Sequence, residues 1–99
     1  MADVISIYKI LPDGRENAIP AAAIRELTGL ARRELTKMIE AERRAGHPIC
    51  STTDYTAPGY FMPANQSELM MFCKSLDGRA ESIKKTAEAC RRAAEGLPL

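Results

Sequence analysis

The sequence has no tryptophan and only three tyrosines and two phenylalanines among its 99 residues. Its core therefore has to be built from Leu, Ile, Ala and Met rather than from stacked rings. Histidine occurs once, as His47, so no Ser–His–Asp or Cys–His constellation can be assembled without that residue. Its place at a helix exit beside Pro48 points to a C-terminal cap instead. Cys50, Cys73 and Cys90 are odd in number and widely spaced, which fits neither a disulfide framework nor paired zinc ligands. They read as small apolar residues in a reducing cytoplasm. A glycine-rich phosphate loop and a recognisable carboxylate pair are missing too. No enzyme activity, cofactor, metal or small-molecule ligand is expected. No apolar run approaches the roughly 18 residues of a membrane span, and no leader pattern opens the chain. The expectation is a cytoplasmic protein without a membrane partner.

What is present is one domain's worth of chain with a net charge of +1, unevenly distributed. Residues 20–53 hold six basic groups (Arg25, Arg32, Arg33, Lys37, Arg43, Arg44) against four acidic ones (Glu26, Glu34, Glu40, Glu42). Residues 65–99 mix six with five, the pattern of a solvated helix surface.

Apolar residues crowd 4–11, where Asp3 as N-cap and Pro12-Asp13-Gly14 as a stop favour a short helix over a strand. Pro20 suits a first turn and starts a second helix over 20–28, with Ile24 and Leu27 on one face. Gly29 supplies a left-handed residue and a tight turn. A third helix over 31–45 puts Leu35, Met38 and Ile39 inward and stops at Gly46. Glu42 stands where the apolar stripe calls for Leu, which implies partial exposure or an interface. Runs at 49–53 and 59–62 flank a Pro-Gly loop and predict a β-hairpin. Asn65, with Glu68 three residues on, caps a last helix that runs to about Gly96.

Helix, turn, helix, hairpin is the order of a winged helix-turn-helix, mainly α with a small β-hairpin. Residues 1–63 are assigned to that domain and 64–99 to a C-terminal helix for docking and dimerisation. On the third helix the inward stripe turns Arg32, Arg33, Thr36 and Lys37 outward. Arginine's planar fork pairs with guanine O6 and N7, so Arg33 is the first candidate reader. In the hairpin Thr52, Thr53 and Tyr55 can donate to phosphates, whereas Asp54 would be repelled by them. Tyr60 is expected to pack the hairpin inward.

The stretch IPAAAIRELTGLARRELTKMIEAERRAGHPICSTTDYTAPGYFMP, residues 19–63, resembles the small winged helix-turn-helix proteins of phages and prophages of Gram-positive gut bacteria. IYKILPDGRENA before it and SELMMFCKSLDGRAESIKKTAEACRRA after it extend the likeness over nearly the whole chain. The resemblance implies double-stranded DNA binding in phage or mobile-element transcription or replication. It departs from the common pattern at Ala31, where Ser or Thr usually caps the recognition helix, and at Asp54. The alternative is a protein-interaction module in a phage replication or packaging assembly, a role to which a near-neutral charge is no handicap.

Leu69, Leu76, Ile83, Cys90 and Leu97 fall seven apart, interleaved with Cys73, Ala80, Ala87 and Ala94. A seam this long exceeds what a small domain needs for its own core and predicts a homodimer of either orientation. Met70, Met71 and Phe72 are expected to dock the helix start, with Gly78 marking a kink beyond.

Overall fold

The computed structural model describes residues 6–52 and 59–99. The chain is mainly helical with one small hairpin. Its elements are α1 (Ile7–Ile10), a 3-10 turn (Arg15–Asn17), α2 (Ala21–Thr28), α3 (Arg32–Arg44), β1 (Cys50–Thr52), β2 (Gly59–Phe61) and α4 (Gln66–Ala94). Val4, Ile5 and the proposed Asp3 cap lie outside the described residues. Among the described residues no helix is long and apolar enough to cross a membrane.

The turn between α2 and α3 forms as the glycine predicts. Gly29 sits at φ 74 and its N–H donates to the Arg25 carbonyl at 2.8 Å. A side chain would strain that left-handed conformation. Ala31 has no acceptor with which to cap α3, so Glu34 makes the reciprocal half of the box alone, accepting the Ala31 N–H at 2.9 Å. At the other end the N–H groups of Gly46 and His47 close onto the carbonyls of Arg43 and Glu42. The cap there is backbone. The His47 side chain does not provide it: its ring stacks on Tyr8, with centroids 3.7 Å apart.

The aliphatic core gathers Ile7, Leu11, Ile24, Leu35, Ile39 and Ile49, with Met38 and Tyr60 packed against it. Leu35, Met38 and Ile39 repeat at helical spacing and so present one face inward. Leu27 does not join them and is 72% exposed. Glu42 continues the stripe and is half-buried for a polar reason. Its carboxylate accepts the N–H groups of Ile7 at 2.9 Å and Tyr8 at 2.8 Å, the unpartnered donors at the start of α1.

β1 and β2 pair antiparallel, with Cys50 opposite Phe61 and Ser51 opposite Tyr60. Alternation puts Cys50 and Phe61 on one face and Tyr60 on the other, so the hairpin divides two apolar clusters. Tyr60 packs inward as expected. The free edge of β2 is taken by residues 12–19, through Gly14 and Pro12 to Met62 and through Ile19 to Tyr60. This leaves that edge paired rather than open.

On the opposite face Cys50 and Phe61 meet Phe72 and Leu69 of α4. Met70 and Met71 are not part of this contact; both stay more than half exposed. Asn65 caps α4 by accepting the Glu68 N–H at 2.9 Å, and Glu68 in turn accepts the N–H groups of Ala64 and Arg15, tying the 3-10 turn to the helix. Helical structure continues unbroken through Gly78. Residues 74–99 are all exposed apart from half-buried Ala87. A helix of 29 residues is ~43 Å long, and its far half accounts for the elongated extents of 55 × 35 × 26 Å.

Candidate nucleic-acid interface

Arg32, Arg33, Thr36 and Lys37 are all exposed and line one shallow, open depression on the first half of α3. Residues four apart stack along a helix, so 32 with 36 and 33 with 37 form two adjacent rows. Thr36 donates its hydroxyl proton to the Arg32 carbonyl at 3.0 Å, which leaves its oxygen lone pairs and its methyl to face outward. Among the described residues no carboxylate pairs with Arg32, Arg33 or Lys37. The positive end of the helix dipole adds to their field.

The folded chain sharpens the charge pattern around them. Glu34 is spent on the α3 start and Glu42 on the α1 start. Glu40 pairs with Arg44 one turn on. Arg43 is an internal group rather than a surface cation. Its Nε donates to the Ile49 carbonyl at 2.8 Å and its guanidinium lies over the Phe72 ring at 4.8 Å from the centroid. Burial lowers its pKa, with Tyr60 and Cys50 opposing that shift and Arg79 adding to it. On the first half of α3 this leaves three cations in no ion pair among the described residues, with Glu34, held by the Ala31 N–H, the one carboxylate beside them.

Thr52 is placed elsewhere. It lies at the end of β1, where its Oγ1 accepts from Arg15 Nη2 at 3.3 Å, and it lines a cleft of about 370 Å³ between the hairpin and α4. The structure does not group it with the α3 residues. Thr53 and Tyr55 lie outside the described residues. Sequence reasoning missed the internal role of Arg43; its spacing of four from Ile39 put it beside the apolar stripe and was the available signal.

Comparison of the chain with protein-family models, with curated proteins and with solved structures finds no match.

Proposed function

We propose that the chain is a double-stranded DNA-binding protein of the winged helix-turn-helix type, with α3 as the helix that enters the major groove. The observation that carries this reading is the unpartnered trio Arg32, Arg33 and Lys37 on the exposed first half of α3. That helix follows a tight glycine turn and precedes a hairpin, the order in which such a helix reads base edges with its N-terminal residues. Thr36 adds an acceptor and a methyl group of the kinds that base edges meet. The hairpin would be the wing, and its contribution falls on Thr53 and Tyr55, since Thr52 is held by Arg15 at the cleft against α4. α4 supplies the second half of the reading, because its exposed seam offers a homodimer that would present two such helices to a palindromic site. A role in transcription or replication of a phage or other mobile element is what the resemblance over residues 7–93 implies, and three cysteines without a pairing pattern fit a reducing cytoplasm.

Selection from a random duplex pool, followed by titration of the enriched sequence at two salt concentrations, tests it. Binding should weaken steeply with salt, because groove binding releases counterions from the phosphates. Arg33→Ala should lose about 1–3 kcal/mol of discrimination, roughly 5- to 150-fold, at one base position per half-site. Failure to retain any duplex at low salt refutes the reading and favours a protein partner.

A further inference from the structure

The exposed half of α4 carries more information than the presence of a seam. Leu69, Leu76, Ile83 and Cys90 form one row and Cys73, Ala80, Ala87 and Ala94 the other, so large side chains alternate with small ones. Leu76 and Ile83 are 39% and 69% exposed, and among the described residues nothing in the chain's own domain covers Ile83. Asp77 and Lys84 flank the seam on one side, Arg79 and Thr86 on the other.

We propose that α4 pairs antiparallel with α4 of a second copy, about a two-fold axis that crosses the helix between Glu81 and Ser82. This rests on the dimer part of the function proposed above and fixes its orientation. In that register Leu76 meets the partner's Ala87 and Ile83 meets the partner's Ala80, large against small, while Cys73 meets the partner's Cys90. Large knobs entering small holes fill the layer and draw the helices close. Antiparallel helices bring like flanks together, so Asp77 lies beside the partner's Lys84, twice by symmetry. Sliding the pair by one heptad sets Asp77 against the partner's Asp77 in one direction, and Lys84 against the partner's Lys84 in the other. A parallel pair instead sets Arg79 against the partner's Lys84, a like-charge contact, and leaves the small residues facing one another across loosely filled layers. Charge and volume therefore select one arrangement and oppose its competitors. Gly78 falls on the side away from the seam, where a helix can carry a glycine without loss of interface. The two Phe72 docking points would lie ~28 Å apart along the pair, a scale close to one turn of B-DNA at ~34 Å.

Cysteine cross-linking of the full chain tests the orientation, with sedimentation giving the mass. Cys73 and Cys90 on one straight helix are ~26 Å apart, beyond the reach of a short dithiol-reactive reagent such as dibromobimane, so a link between them joins two copies. The expected result is a dimer mass, a Cys73-to-Cys90 link between copies, and loss of covalent dimer in both Cys73→Ala and Cys90→Ala. Covalent dimer that survives in either variant means like cysteines face each other and overturns the antiparallel pair while leaving the dimer. A monomer mass overturns the dimer itself. Asp77→Lys should weaken dimerisation about tenfold and Asp77→Lys with Lys84→Asp should restore it; a dimer indifferent to both changes also overturns the register.

Discussion

Replacing Glu42 with leucine, the residue that the apolar stripe of α3 calls for, should destabilise the protein. The carboxylate accepts from two backbone donors, Ile7 and Tyr8, 35 and 34 residues away in sequence. Hydrogen bonds to a charged acceptor contribute about 1.5–3 kcal/mol each. Taking the low end, because Glu42 is only half-buried, the pair contributes about 3 kcal/mol. A half-buried leucine returns about 1 kcal/mol through apolar burial. The net loss is about 2 kcal/mol, or a fall in Tm of about 10 °C for a domain of this size. Glu42→Gln keeps one acceptor oxygen without the charge and should lose about 1 kcal/mol. Urea denaturation at fixed protein concentration measures both, and hydrogen exchange localises the effect, since the Ile7 and Tyr8 amides should lose protection before the rest of the core. Glu42→Leu as stable as the wild type or more so, with those amides still protected, would refute the reasoning. It would mean that apolar burial governs this position and that α1 forms without its cap.

Gly59→Ala should cost about 3 kcal/mol in a urea titration. Gly59 sits at φ 140, and a Cβ there would fall 2.1 Å from the Ile19 carbonyl oxygen, so β2 would have to leave the edge pairing that Ile19 provides. Gly78→Ala should do the reverse, adding about 1 kcal/mol of helix propensity and raising the melting midpoint by roughly 5 °C, because a Cβ there meets nothing within 4 Å; a lower midpoint would show that the glycine has a structural use. Burial pushes the Cys50 thiol up to about 11. The folded protein then keeps a proton that the unfolded chain releases, so stability should fall as pH rises from about 9 towards about 11. In native protein at pH 8 iodoacetamide should leave buried Cys50 unmodified until urea unfolds the chain, as read by peptide mass mapping.

Local signals were legible in the sequence wherever a segment's ends satisfy themselves. Gly29, Gly46 and the Asn65–Glu68 pair close backbone groups within a few residues, and each does so in the folded chain. The stripe of Leu35, Met38 and Ile39 identified the face of α3 that meets the core, and by exclusion the face that carries Arg32, Arg33, Thr36 and Lys37. Leu27 was misassigned because α2 is too short for its periodicity to define a face, and the core closes around Ile24 without it. The methionines of α4 were misassigned for a related reason: three apolar residues in a row cannot share one helical face, and Phe72 with Leu69 takes it.

Charged side chains set into apolar registers were the illegible part. Glu42 and Arg43 look like surface residues by type, yet one holds the start of α1 and the other bridges α3, the Ile49 carbonyl just before β1 and the ring of Phe72. No local pattern says which N–H or carbonyl 35 residues away, or six, will lack a partner. The same two residues decide how the interface reads. Counted along the chain, α3 is a mixed helix whose acidic groups nearly balance its basic ones. In the folded chain Glu34 and Glu42 are drawn off to backbone donors and Glu40 is drawn off to Arg44. The cations of the first half keep no such engagement. A near-neutral total charge is therefore a poor guide to this surface, because the fold sorts the charges by what each must satisfy.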